Sequence, residues 1–159
     1  MNKKDDVLQI DTRIFFNRHL DRLTAISGRQ RQDLMPDNLC KLMPLDKKFS
    51  PKIRCAERLT YCVAKAISKC QDKPKKPFRT ILICAYLQEI PDYEIRKRVG
   101  YSHSRYSELK RMALEEFTKY FNYLIKEEVI SSSVELINEL ATNLLLMLGF
   151  IRGRDADKS

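Results

Sequence analysis

Residues 90–124 read IPDYEIRKRVGYSHSRYSELKRMALEEFTKYFNYL, and two helical patterns separated by one glycine run through them. Asp92 stands where it can cap a short helix, and Ile95 and Val99 share one face of that helix at four-residue spacing. Gly100 supplies a residue that enters a left-handed turn without a Cβ clash, and Ser102 is placed to cap a second helix. Along that second helix Tyr106, Leu109, Ala113 and Phe117 recur at three- and four-residue spacing and are expected to face a core. Short helix, glycine turn and longer helix form the sequence pattern of a helix-turn-helix.

Outward from this motif the chain reads as helices throughout. Residues 78–88 are almost wholly apolar in their middle (Ile81, Leu82, Ile83, Ala85, Tyr86, Leu87), as expected of a helix inside a bundle. The break before them is QDKPKKP, residues 71–77. Ser50 and Pro51 open a helix to about residue 70, with an apolar face through Ile53, Ala56, Leu59, Cys62, Val63, Ala66 and Ile67. Pro36 and Pro44 interrupt residues 29–50, leaving a long connection with a short helical turn near Leu39. A first amphipathic helix over residues 11–27 carries Ile14, Phe15, Leu20, Leu23 and Ile26, with Asp11 or Thr12 as cap and Gly28 as stop.

After Lys126, Ser131, Ser132 and Ser133 can cap a last helix that becomes apolar nearly all round. It either folds back on the amino-terminal helices or pairs with its copy in a homodimer, and the dimer is the favoured reading. The dimerisation stripe is then Val134, Ile137, Leu140, Leu144 and Leu148. The expected fold is all-α: a helical bundle containing a helix-turn-helix, plus a carboxy-terminal apolar helix. Its regions are an amino-terminal helical part (residues 1–72), the helix-turn-helix part (73–126) and the carboxy-terminal helix (127–159).

Charge suggests the partner. With 30 Lys+Arg against 21 Asp+Glu the chain carries +9, which favours polyanions such as nucleic acid or an anionic membrane. Between Lys73 and Arg111 there are ten basic and four acidic residues, so most of the excess gathers around the motif. His103, Ser104, Ser107, Glu108 and Arg111 lie opposite the core-facing stripe and are the candidates to contact base edges in double-stranded DNA. Arg96, Lys97, Arg98, Tyr101, Arg105 and Lys110 are the candidates for its phosphate backbone. The competing reading is a protein-interaction factor that acts on host RNA polymerase or another regulator without specific DNA binding.

Other classes find less support. MNKKDDVLQID lacks the apolar stretch of a secretory signal, and no run of ~18 apolar residues spans a bilayer, so a cytoplasmic protein with no membrane partner is expected. Cys40, Cys55, Cys62, Cys70 and Cys84 include no CxxC pair, and His19 and His103 are far apart, so no metal and no other cofactor are expected. Cys55, Cys62 and Cys70 share a helical face with Leu59, Val63 and Ile67 and read as buried core residues. There is no phosphate-binding glycine loop or nucleophile motif, so no catalytic residue is assigned and the chain does not read as an enzyme.

The segment PDYEIRKRVGYSHSRYSELKRMALEEF, with its GYS turn, Tyr106, Lys110 and Ala113-Leu114, resembles the ArpU-type (autolysin regulatory protein) family of phage and prophage transcriptional regulators. DTRIFFNRHLDRL near the amino terminus and the helix before the Lys/Pro break add to this, so the likeness covers residues 10–124. GYSHSRYSELKRMAL is also similar to the helix-turn-helix of region 4 of primary sigma factors, in which His103, Ser104, Ser107 and Glu108 match base-contacting positions. Arg96 and Ser107 depart from the family pattern, which has a small residue and a second aromatic at those places. What the resemblance implies is activation of late packaging or lysis genes, or control of autolysis, through a promoter-proximal DNA site.

Overall fold

Phe15 and Phe16 are neighbours in sequence, yet both are fully buried, because the backbone there widens into a π-helical segment. The computed structural model describes residues 12–41, 49–131 and 138–143. Helix α1 covers residues 12–27 as an α-helical turn Thr12–Ile14, the π segment Phe15–His19 and a regular stretch Leu20–Ser27. Bonding from i to i+5 in the π segment shifts the phase of the inward face. Both rings thereby reach the core, followed by Leu20 and Leu23. Gly28 ends the helix with φ +74°, returning its N–H to the carbonyl of Ala25 at 3.3 Å.

Two 3-10 turns, Arg31–Leu34 and Pro36–Lys41, make up the described part of the connection, with the expected helical turn near Leu39 inside the second. Helix α2 is Pro51–Lys69, and Ser50 caps it by accepting the Ile53 N–H at 3.3 Å. Its burial exceeds one stripe: Glu57, Thr60 and Ala64 are enclosed together with the expected Cys55, Ala56, Leu59, Cys62, Val63, Ala66 and Ile67, while Ile53 is half-buried. Glu57 is admitted because Arg29 meets it with two hydrogen bonds, the shorter 2.7 Å. Burial pushes the thiols of Cys55, Cys62 and Cys70 up to about 12, and they are protonated packing groups.

Helix α3 covers residues 78–87, with α-helical Phe78–Leu82 passing into a second π segment, Ile83–Leu87. The two π segments meet where the rings of Phe16 and Tyr86 stack at 4.3 Å. One guanidinium serves both backbones: Arg31 donates to the carbonyl of Phe16 at 2.7 Å and to that of Tyr86 at 2.5 Å. Helix α4 is Asp92–Val99 and α5 is His103–Ser131. Phe117 and Phe121 of α5 stack on each other at 5.3 Å and close the aromatic cluster over Phe15.

The described residues are helical without a β-strand, and the fold is all-α. The division at residues 72 and 73 falls in the α2–α3 connection, but the residues on either side share one core. Residues 138–143 are helical and join that core through Leu140, which is 2% exposed. Asn143 fixes them by accepting from Arg22 of α1 at 2.8 Å and donating to Cys55 of α2 at 3.6 Å. Leu140, assigned above to a dimer stripe, is thus enclosed by its own chain; Val134, Ile137, Leu144 and Leu148 lie outside the described residues. Among the described residues no helix is long and apolar enough to cross a membrane.

Candidate nucleic-acid interface

Between α4 and α5 the backbone turns through two local devices. Gly100 takes φ +76° and returns its N–H to Arg96 at 2.9 Å, and Ser102 accepts the Arg105 N–H at 3.3 Å to cap α5. Ile95 packs inward with no exposure, and Tyr106, Leu109, Ala113 and Phe117 of α5 are buried as the spacing requires.

Asp92 corrects one sequence expectation. Pro91, not Asp92, occupies the cap position of α4, and no side chain there makes a capping bond. The Asp92 carboxylate instead crosses to α5, accepting from Tyr106 Oη at 2.9 Å and from Lys110 Nζ at 3.0 Å. Partial burial would raise its pKa, but the bonds from Lys110 and Tyr106 outweigh that and hold it below the usual value. The same arrangement raises the Tyr106 phenol, through burial first and the adjacent carboxylate second.

Opposite the buried stripe, His103, Ser104, Ser107, Glu108 and Arg111 are all exposed on the first turns of α5. The structure therefore brings all five base-contact candidates onto one solvent face. Arg105 and Glu108 pair across it at 2.6 Å, and Arg111 pairs with Glu115 at 2.6 Å. On α4, Arg98 pairs with Glu94 at 2.8 Å, while Arg96 and Lys97 form no ion pair among the described residues.

Two backbone candidates are engaged elsewhere. Lys110 holds Asp92 and lies 5.3 Å over the Tyr86 ring, so its ammonium belongs to the α3–α4–α5 junction. Tyr101 is half-buried and donates its hydroxyl to the carbonyl of Pro74 at 2.7 Å. That bond links the α4–α5 turn to residues 73–76, a tight turn closed by Lys73 N to Lys76 O at 3.1 Å and Lys76 N to Lys73 O at 2.9 Å. Lys73, Lys75 and Lys76 are exposed. In the sequence they contribute only to the local charge; their place at the site depends on a contact across 27 residues.

No family model matches the chain, and neither does a curated protein or a solved structure. Function therefore rests on the site itself. Its parts are a rigidly backed helix end, hydroxyl, imidazole, carboxylate and guanidinium groups on one face, and lysines at its flank. Such groups can exchange hydrogen bonds with base edges and neutralise phosphates.

Proposed function

We propose that the chain is a sequence-specific DNA-binding transcriptional regulator that sets the first turns of α5 into the major groove. The observation that carries this reading is the exposed face of His103, Ser104, Ser107, Glu108 and Arg111 at the start of a helix whose reverse side is core. Ser104 and Ser107 can bond either donor or acceptor edges, Glu108 suits the cytosine amino group, and Arg111 suits guanine. Arg105 and Arg111 would exchange carboxylate partners for DNA, at small cost because exposed ion pairs contribute about 0–1 kcal/mol each.

The likeness of residues 91–117 to ArpU-type regulators supports a narrower form of the proposal: control of phage or prophage late genes, or of autolysis, from a promoter-proximal site. Chromatin pull-down of the tagged protein in its own host tests it, with Ser104→Ala/Glu108→Ala as control. The proposal expects sharp promoter peaks that vanish in the control. Absent peaks, or peaks unchanged in the control, reject it.

A further inference from the structure

The tight turn at residues 73–76 is held in place from three sides. Gln71, just before it, donates its backbone N–H to Glu116 of α5 at 2.6 Å and its side-chain amide to the same carboxylate at 2.8 Å. Asp72 is tied to the first turn of α3, accepting the Thr80 N–H at 3.2 Å and Thr80 Oγ1 at 2.8 Å. Tyr101 holds the tip through the Pro74 carbonyl. An exposed tri-lysine segment that had only to stay soluble would need none of these anchors: Gln71 ties its base to the middle of α5, Asp72 ties it to α3, and Tyr101 sets its tip beside the amino-terminal end of α5.

The charge on either side of that end differs in kind. Arg98, Arg105, Lys110 and Arg111 each face a carboxylate of their own chain. Lys73, Lys75 and Lys76 form no ion pair among the described residues. Among the described residues the positive charge left without a carboxylate partner around this end is therefore that of the turn together with Arg96 and Lys97 of α4. The Tyr101 bond sets the turn beside the start of α5, at the flank of the helix, from where lysine side chains have the reach to meet phosphates bordering a groove about 12 Å wide.

We infer that Lys73, Lys75 and Lys76 form a phosphate-binding turn that grips the duplex backbone beside the groove entered by α5, with Tyr101 as its positioning residue. This rests on the DNA-binding reading above. It assigns sequence-independent affinity to the turn and leaves discrimination to α5.

Salt dependence measures it. Wild type, Lys73→Gln/Lys75→Gln/Lys76→Gln and the corresponding triple Arg variant are titrated against two probes over a salt series. One probe is a duplex selected by the wild-type protein from a random-sequence pool, and the other is an alternating dA·dT duplex. The expected result is a fall of about 2.7 in the slope of log K against log salt for the Gln variant, about 0.9 per lost phosphate contact. Affinity should fall equally on both probes, preference for the selected duplex should persist, and the Arg variant should keep the wild-type slope. An unchanged slope in the Gln variant, even with lost binding to phosphatidylserine vesicles, overturns the inference while the DNA-binding reading stands. Failure of wild type to bind either duplex overturns both.

Discussion

The Tyr106 hydroxyl donates to Asp92 Oδ1 at 2.9 Å, joining the first turn of α4 to the second turn of the helix that would read DNA. Lys110 reaches the same carboxylate from one turn further along α5. The angle between the two helices is thus held by a side-chain cluster as well as by apolar packing. Asp92, with its lowered pKa, contributes stability that is fully present above the ordinary carboxylate value and lost as pH falls through the lowered one. Urea unfolding of wild type should weaken from about pH 4 downward, and Asp92→Asn should remove that component. A variant with the wild-type pH profile contradicts this role.

Gly100 adopts φ +76°, and a Cβ built there meets nothing within 4 Å. The cost of substitution is then backbone strain alone, with no steric clash. Gly100→Ala should destabilise by about 1 kcal/mol and Gly100→Asn by less, because Asn tolerates the left-handed region. Equal losses for the two variants in thermal unfolding would show a different constraint.

Arg31 satisfies one carbonyl in each π segment, those of Phe16 and Tyr86. Removing it leaves both without that donor, at about 1–3 kcal/mol for each buried group. Arg31→Ala should therefore lower stability by several kcal/mol, and Arg31→Lys should recover only part, since one ammonium lacks the planar fork. Full recovery by lysine in chemical denaturation rejects the two-carbonyl account.

These π segments mark the limit of what the sequence shows. Ser50-Pro51, Gly28, Gly100 and Ser102 are local signals, and the structure places a cap or a left-handed turn at each. The inward face of α5 was legible for the same reason, since Tyr106, Leu109, Ala113 and Phe117 keep a regular helical period. Phe16 was missed because a π turn breaks that period, and nothing in FFNRH announces the break. The sequence offers Asp92 as a cap because aspartate near a helix start usually is one; its cross-helix use depends on Tyr106 and Lys110 arriving from 14 and 18 residues away. The Tyr101–Pro74 bond, and with it the lysine turn, is likewise a long-range contact with no local pattern.

Leu140 packs in the core of its own chain at 2% exposure. Leu140→Ala should cost about 2–5 kcal/mol as a cavity. The loss should be the same across a wide range of protein concentration. A loss that shrinks as concentration rises would assign Leu140 to a subunit interface instead.

Cys55, Cys62 and Cys70 are buried thiols with pKa pushed up to about 12, so almost no thiolate exists near neutral pH. Alkylation followed by peptide mass mapping should leave all three unmodified in the native protein and label them in denaturant. Rapid native labelling of Cys62 contradicts the packing described.

Selection from a random-sequence duplex pool asks whether the face of α5 bearing His103, Ser104, Ser107, Glu108 and Arg111 reads sequence. Wild-type protein should enrich a common motif. Ser104→Ala/Glu108→Ala should lose about 1–3 kcal/mol of discrimination per contacted base pair while keeping salt-sensitive binding to unselected duplex. Enrichment of no motif by wild type, or of the same motif by both proteins, would contradict the claim that this face reads sequence.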